Sequence, residues 1–294
     1  MSDLSHTPTP GGDDTFEFVP SSGPRKPRLA IMGEFSAGKS TLSNLLLGSK
    51  PLPEKVTATR LSPVWLSHGQ AAPVAHFVDQ DRAPEKVTGF EGLDVNAVRY
   101  VSMSIQSTIL EHCDLIDFPG ISDPNMDSEV WERMLPEVDI VLWCTHATQA
   151  WRQSEDAAWA LVPEDVQARS MLLVTRFDKL TTDRDRRRVM ARLDAETEGL
   201  FAGVYPLSLL DALTAAEDGD PEGWEASGAR RFSEDLHVAL AALDPSVPTP
   251  SAAPDPAPVP EPEQAAPSAR RVSRRIVPRR IRVALGGRRE RPSA

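Results

Sequence analysis

The sequence predicts an α/β fold in three layers, with a mostly parallel sheet that has helices on both of its faces. Short apolar runs typical of buried strands alternate with helical patterns along residues 27–243. A glycine-rich segment lies between the first apolar run and the first helical pattern. The 294 residues are enough for one sizeable domain with flanking segments, so a single α/β domain accounts for the body of the chain.

The individual elements are predicted from the spacing of apolar residues. The first strand is predicted at Arg28–Met32 and the first helix at Ser40–Leu47. Further strands are predicted at Pro63–Ser67, Val74–Val78, Val98–Ile105, Ile109–Ile116, Asp139–Cys144, Met171–Thr175 and Val204–Leu207. Further helices are predicted at Ser128–Leu135, Ser154–Leu161, Thr182–Leu200 and Arg230–Leu243. Sheets of this kind bind ligands at the carboxyl ends of their strands, where we expect the functional site.

The segments outside the predicted domain differ from it in composition. Residues 1–26 are rich in Ser, Thr, Pro, Gly and Asp, which predicts a disordered N-terminal segment. Residues 244–267 contain nine prolines and predict a Pro/Ala-rich linker, which at about 3.1 Å per residue reaches roughly 70 Å. Residues 268–294 form a basic, Arg-rich tail with a net charge of +9, so the rest of the chain carries −20. The body is therefore not expected to bind polyanions by its overall charge.

Cysteine usage and hydropathy indicate a cytoplasmic location. Cys113 and Cys144 each lie in an apolar run, and we expect two core thiols in a reducing compartment rather than a disulfide. No apolar run approaches the roughly 20 residues that a membrane-spanning helix needs. Residues 1–14 lack the basic and then apolar pattern of a signal peptide.

The strongest motif fits the pattern G-x-x-x-x-G-K-[ST] and lies between a predicted strand and a predicted helix. In such a loop the backbone N–H groups point at phosphates, and the helix N-terminus adds its positive dipole end. We expect Lys39 to reach the β- and γ-phosphates and the Ser40 hydroxyl to bind Mg²⁺. The predicted nucleotide-binding residues here are Gly33, Glu34, Phe35, Ser36, Ala37, Gly38, Lys39, Ser40 and Thr41. The fold class is therefore refined to a P-loop NTPase.

A second motif, Asp117-Phe118-Pro119-Gly120, follows an apolar run 78 residues after Lys39. It fits D-x-x-G, in which Asp117 holds the Mg²⁺ shell and the Gly120 N–H senses the γ-phosphate. The pattern is weak alone, since any turn can supply it, and stronger after a buried strand. It predicts a nucleoside triphosphatase with bound Mg²⁺.

A third motif predicts which base is bound. Thr175-Arg176-Phe177-Asp178 ends a predicted strand and fits [NT]-[KR]-x-D. A carboxylate there accepts from both N1–H and the exocyclic amine of guanine, whereas adenine has no such donor pair on that edge. We predict that Thr175, Arg176, Asp178 and Lys179 bind the guanine of GTP or GDP, with Ser208 in a loop that closes over the base.

The switch threonine must lie between the first helix and the next strand. The candidates are Thr57 and Thr59 in Val-Thr-Ala-Thr-Arg. One of them is expected to give its hydroxyl to Mg²⁺ and its carbonyl to the attacking water. Thr59 is preferred, and both remain open.

Together these motifs make residues 28–210 resemble the bacterial dynamin-like GTPases, above all in the P-loop and first helix, 33–48. The resemblance implies hydrolysis of GTP to GDP and phosphate. Such GTPases lack a catalytic Gln after D-x-x-G, and here the position is Ile121. The resemblance then assigns catalysis to the P-loop and the switch, here Ser36, Lys39 and Thr59. Many dynamins carry Gln before this Ser, where the chain has Phe35, so we expect slow intrinsic turnover.

The resemblance also implies a homodimer across the nucleotide faces. Residues 145–155 lie where the family places a dimer-contacting loop, and Trp151 and Arg152 are candidates for a contact in trans. The alternative is a Trp packed on the fold and a solvated Arg. Only one helix is predicted before the proline linker, so we expect a GTPase domain without the family's helical stalk.

The tail interleaves arginines with branched apolar residues, which leaves its partner open. An anionic membrane is preferred, followed by an acidic protein surface that includes the chain's own body, then a nucleic acid backbone, then no partner. The leading hypothesis is thus a dynamin-like GTPase switch, peripheral on the inner face of the membrane. The alternatives are a GTP-regulated RNA- or ribosome-associated assembly factor and a nucleotide-binding scaffold with little turnover.

Overall fold

The computed structural model describes residues 25–48, 62–90, 92–121 and 128–244. Its strands are β1 Arg28–Gly33, β2 Val64–His68, β3 Val74–Phe77, β4 Glu85–Lys86, β5 Val98–Ile105, β6 Asp114–Asp117, β7 Ile140–His146, β8 Met171–Thr175 and β9 Gly203–Pro206. Its α-helices are α1 Lys39–Leu47, α2 Ile109–His112, α3 Glu129–Glu132, α4 Gln153–Trp159, α5 Glu164–Gln167, α6 Asp183–Glu196, α7 Leu209–Asp218, α8 Pro221–Ala226 and α9 Ala229–Leu243. Short 3₁₀ turns lie at Leu135–Glu137, Ala147–Gln149 and Phe177–Lys179.

The nine strands form one sheet in the order β4-β3-β5-β2-β6-β1-β7-β8-β9. Five neighbouring pairs are parallel, and three pairs in the β4 half of the sheet are antiparallel: β3–β4, β3–β5 and β2–β6. The predicted mostly parallel sheet is therefore confirmed. The central strand β1 pairs with β6 and β7 in parallel, so the carboxyl ends of the three strands lie at the same edge.

Two hydrophobic cores lie on the two faces of the sheet, because side chains alternate along each strand. In β1, Leu29 and Ile31 contribute to one core, and Ala30 and Met32 contribute to the other. Helices α1 and α9 cover the first core, and α3, α4 and α6 cover the second. The three-layer architecture is therefore confirmed.

One predicted strand, Ile109–Ile116, is wrong in its first half. Residues 109–112 form the short helix α2, and the N–H of Cys113 bonds to the carbonyl of Ile109 to close it. Leu110 and Cys113 are both buried and lie three positions apart, which is a helical spacing. The strand β6 begins afterwards, where the N–H of Asp114 bonds to the carbonyl of Pro27.

Helices α5, α7 and α8 were not predicted, and the other predicted elements shift by a few residues at their ends. The short helix α8 begins at a signal that the sequence carries, since Asp220 accepts a hydrogen bond from the N–H of Glu222 and Pro221 occupies the first helical position. Both cysteines are buried, as expected, and burial raises the pKa of each thiol to about 12.

The described body begins at Arg25, whose guanidinium forms an ion pair with Asp139 at 2.6 Å. Most of the predicted N-terminal segment, the linker beyond Asp244 and the whole tail lie outside the described residues. Both switch candidates, Thr57 and Thr59, also lie outside them. The domain limits thus remain predictions. No helix within the described ranges is long and apolar enough to cross a bilayer.

Candidate nucleotide-binding site

The P-loop runs from the end of β1 to the start of α1, and its two glycines are required by its backbone path. Gly33 has φ of 135°, and a Cβ there would lie 2.1 Å from the carbonyl oxygen of Cys144 on β7. Gly38, with φ of 91°, is the N-cap of α1. Neither conformation suits a residue with a side chain, and the close approach to β7 leaves no room for one at Gly33.

The side chain of Lys39 folds back into the P-loop that precedes it. Its ammonium donates to the carbonyl of Gly33 at 3.0 Å and to that of Glu34 at 2.8 Å. Its side chain is nine-tenths buried. Burial lowers the pKa of the ammonium, whereas the negative charges of Asp117 and Glu34 raise it. The loop thus holds a positive charge next to its own backbone N–H groups, an arrangement suited to a phosphate.

Asp117 ends β6 next to the start of α1. Its carboxylate accepts a hydrogen bond from Ser43 at 3.2 Å. Burial raises its pKa to about 6, while the charge of Lys39 and the Ser43 hydrogen bond act in the opposite direction. Ser43 was not predicted as a site residue, although it lies three positions after Ser40 on the same face of α1.

The donor set at this point fits Mg²⁺. The hydroxyl of Ser40 and the carboxylate of Asp117 are hard oxygen ligands of the type that Mg²⁺ takes from proteins, usually one or two together with substrate phosphates. Within the described ranges there is no group of three His, Cys, Asp or Glu side chains that could hold a metal ion alone. A Mg²⁺ ion bound to these two residues would take its remaining ligands from water and from the phosphates of the nucleotide.

The D-x-x-G turn packs directly on the P-loop. The N–H of Phe118 bonds to the carbonyl of Ile31 at 3.1 Å, and that of Ile121 bonds to the carbonyl of Gly33 at 3.2 Å. A Cβ on Gly120 would lie 3.0 Å from the Cα of Phe35. The structure therefore brings together the first two motifs that the sequence singled out.

The third motif is bonded to the same loop. Thr175, fully buried at the end of β8, has its hydroxyl 2.7 Å from the carbonyl of Ala37. Arg176 adopts the left-handed conformation with φ of 52°, and its guanidinium donates to the carbonyl of Ser36 at 3.0 Å. Thr175 and Arg176 thus fix the predicted base loop against the P-loop.

Asp178 lies in the 3₁₀ turn that follows, 2.8 Å from the ammonium of Lys179. A further contact fixes this turn: the N–H of Phe177 bonds to the carbonyl of Leu207, which follows β9. Ser208 is buried at the start of α7, beside this contact, and Thr41 is half-buried in the first turn of α1. The predicted nucleotide-binding residues therefore lie in the P-loop and the first turn of α1, in the D-x-x-G turn, and at or just after the ends of β8 and β9, at the carboxyl edge of the sheet.

A model of the dynamin family matches residues 29–177, half of the chain. The chain belongs to the dynamin family. Dynamin-like protein 2 of Campylobacter jejuni subsp. jejuni serotype O:23/36 (strain 81-176) is 26% identical over 165 residues, which are 53% of this chain and 26% of that protein. The chain thus spans about a quarter of this relative.

Two solved structures of an oligomerised bacterial dynamin pair share the fold of this dynamin-family chain. One has a TM-score of 0.54 at 16% identity and covers 76% of this chain and 40% of its own. The other has a TM-score of 0.50 at 18% identity and covers 74% and 36%. For that pair, the oligomerised arrangement provides a mechanism for the long-range sensing and tethering of membranes. Membership of this GTPase family favours the dynamin-like interpretation over the RNA-associated alternative.

Behind the P-loop, the dynamin-family chain has a buried acidic network that the sequence did not reveal. Glu34 is buried and accepts a hydrogen bond from Ser154 of α4 at 2.5 Å. The neighbouring Glu155 accepts from the indole N–H of Trp143, the hydroxyl of Thr145 and the N–H of Arg152, at 3.0 to 3.1 Å. Burial raises the pKa of Glu155, whereas these three hydrogen bonds act to lower it. Ser154 and Glu34 lie 120 positions apart, so their contact leaves no local pattern in the sequence.

Residues 145–155 are shaped by this network. Trp151 has φ of 56°, donates its N–H to the hydroxyl of Thr145, and packs at 5.4 Å on the ring of Phe201. Trp151 therefore matches the alternative in which it packs on the fold. Arg152 is exposed at the N-cap of α4, and a contact in trans by Arg152 remains a prediction.

Replacing Glu155 by leucine is expected to lower the free energy of unfolding by about 3 kcal/mol. The substitution leaves the donors of Trp143, Thr145 and Arg152 without their acceptor, and each buried donor left unpaired costs roughly 1–3 kcal/mol. Urea titration followed by tryptophan fluorescence measures the change. Asp156→Leu on the exposed side of the same helix is the control. Equal stabilities of the two variants would contradict the prediction.

Proposed function

We propose that this chain is a Mg²⁺-dependent GTPase that hydrolyses GTP to GDP and phosphate, slowly when alone. The observation that supports it is that hydrogen bonds join the three motifs into one site. Thr175 and Arg176 donate to carbonyls of the P-loop, and the D-x-x-G turn donates a backbone N–H to the carbonyl of Gly33. A phosphate loop, a metal-binding carboxylate and a guanine-reading carboxylate are the parts that GTP hydrolysis requires.

In this proposal each residue has one task. Lys39 and the backbone N–H groups of the loop bind the β- and γ-phosphates, and Ser36 lies where charge develops during transfer. Ser40 and Asp117 would hold Mg²⁺, which neutralises charge on the phosphate oxygens. Thr59, or Thr57, would orient the attacking water from the switch. Asp178, supported by Arg176 and Lys179, selects guanine.

Slow intrinsic turnover is proposed from two side chains at the phosphate end of the site. Ile121 follows Gly120, where it has no polar group to orient water. Phe35 is 73% exposed on the P-loop, and it supplies no side-chain amide next to Ser36. Both positions therefore lack a polar group that a second GTPase domain could supply across its nucleotide face.

We further propose that the chain acts on an anionic membrane at the cytoplasmic face, recruited by residues 268–294. The +9 charge of this tail supports the proposal, because each basic residue near an anionic leaflet is worth about 1 kcal/mol. The bacterial dynamin pair that senses and tethers membranes supports it by analogy.

GTP turnover is expected to rise several-fold with phosphatidylserine vesicles, because recruitment concentrates the chain and lets nucleotide faces meet. Phosphate release is measured over a range of protein concentrations, with phosphatidylcholine vesicles as the lipid control. A variant with the ten tail arginines replaced by glutamine keeps the chain length and is expected to lose the stimulation. Turnover that ignores anionic lipid would exclude the membrane part, and absent turnover at every concentration would exclude the GTPase itself.

A further inference from the structure

Helix α6 carries three arginines without a partner on one face. Arg184, Arg187 and Arg188 are exposed, and their spacing of three and four positions places them side by side. None of them forms a hydrogen bond, an ion pair or a ring contact with another residue of the described ranges. We call Arg184, Arg187 and Arg188 the arginine face.

The other two arginines of α6 differ, which makes the arginine face a distinct feature. Arg186 donates to the carbonyl of Leu180 and lies over the ring of Phe177. Arg192 bonds to the carbonyl of Ala150 and lies 3.7 Å from Glu196. These two side chains therefore stabilise the fold, and the arginine face does not.

The arginine face points away from the core. Leu193 is the buried residue of the helix, and Arg184 precedes it by nine positions, about two and a half turns of 3.6 residues, on the opposite side. Ala191 and Ala195 share that outer side, whereas the acidic residues of the helix lie on its flanks. The outer side is therefore purely basic, on a body that is otherwise acidic.

A complementary surface lies on α7 and α8. Residues 209–226 contain six acidic residues and no basic one. Four of them are exposed carboxylates that neither accept a hydrogen bond nor form an ion pair with another described side chain: Asp211, Glu217, Asp218 and Glu222. We call these four residues the acidic face.

The two faces lie on opposite sides of the sheet. Leu193 of α6 packs in the core that contains Trp143, whereas Leu209 of α7 packs in the core that contains Leu42 and Phe232. Because the sheet separates these cores, the arginine face of one chain cannot reach its own acidic face. Among the described residues, both faces are left unpaired in a single copy.

We propose that these faces bind each other between copies, so that the acidic face of one chain docks on the arginine face of the next. Such a contact joins different surfaces of the two copies, and it therefore propagates head to tail instead of closing as a two-fold dimer. The proposal goes beyond the proposed function, because it involves neither the nucleotide face nor the tail. It makes the body itself an assembling unit.

The charge of the contact determines how it responds to salt. Single exposed ion pairs are worth about 0–1 kcal/mol, so several pairs must form together for the contact to persist. Screening shortens their range from about 10 Å at 0.1 M salt to about 3 Å at 1 M. Association is therefore expected at low ionic strength and lost at high ionic strength.

Sedimentation velocity of the full chain at rising concentration, in 0.05 M and in 1 M NaCl, tests the proposal. Arg184→Glu/Arg188→Glu and Glu217→Lys/Glu222→Lys are each expected to weaken self-association at least tenfold. An equimolar mixture of the two variants is expected to restore it, because one variant then carries two acidic surfaces and the other two basic ones. Glu164→Lys/Glu198→Lys is the control, because it changes the charge by the same amount at exposed residues elsewhere that have no side-chain partner among the described residues.

Three outcomes would overturn the proposal. Association that persists in either face variant would place the contact elsewhere, and a mixture that stays monomeric would show that the faces do not meet. A chain that remains monomeric in low salt but needs the arginine face to bind phosphatidylserine vesicles would assign that face to lipid. Unchanged melting temperatures of the isolated variants in 1 M NaCl, where the contact is screened, show that they are folded whatever the outcome for assembly.

Discussion

Replacing Lys39 by alanine is expected to lower GTP turnover by about 10²–10³-fold, the cost of losing one preorganised donor to developing charge. The ammonium is already held inside the P-loop by the carbonyls of Gly33 and Glu34, so the protein places it before the nucleotide binds. Alanine supplies neither the charge nor the reach to the phosphates. Phosphate release under saturating GTP measures the loss, and a fluorescent GTP analogue measures binding.

Lys86→Ala is the matched control for Lys39→Ala, because Lys86 is exposed on the edge strand β4, far from the site. It is expected to leave turnover unchanged. Lys39→Ala turnover within twofold of the unaltered chain, with an unchanged melting temperature, would mean that Lys39 does not bind the phosphates and that the proposed catalytic arrangement is wrong.

The sheet and the three motifs were predictable because their signals are local. A buried strand such as Met171–Thr175 is a continuous apolar run, and the P-loop glycines stand where φ is positive or a neighbour is close. The assembly of the motifs also follows, since the carboxyl ends of parallel strands share an edge. Local pattern and parallel topology together predicted which loops meet.

Contacts between distant residues were not predictable in this way. Ser154 bonds to Glu34 across 120 positions, and nothing near either residue indicates it. Arg176 adopts a left-handed conformation that its residue type does not suggest, because its guanidinium reaches the carbonyl of Ser36. Helix α2 was taken for a strand because its four residues are too few to show a helical period. Ser154 and Arg176, by contrast, are held by contacts with residues that are distant in the sequence.

Replacing Asp178 by asparagine is expected to shift the preference from GTP towards xanthosine triphosphate by about 10⁴-fold, since a site built for one hydrogen-bonding pattern rejects an analogue lacking it by that order. A carboxylate accepts from the N1–H and the amine of guanine. An asparagine amide instead donates to the C2 carbonyl of xanthine and accepts from its N1–H. Competition between the two triphosphates for binding, and turnover of each, measure the shift.

Because the contacts that fix the turn around Asp178 do not use its side chain, Asp178→Asn tests base recognition and not folding. The turn is fixed by the N–H of Phe177 on Leu207 and by Arg186, which donates to the carbonyl of Leu180, and neither contact uses the carboxylate. Asp194→Asn on the exposed side of α6 is the control and should retain GTP preference. An Asp178→Asn variant that still prefers GTP, or an unaltered chain on which ATP competes equally with GTP, would show that this loop does not read guanine, because the donor pair that Asp178 requires exists on guanine alone of the two purines.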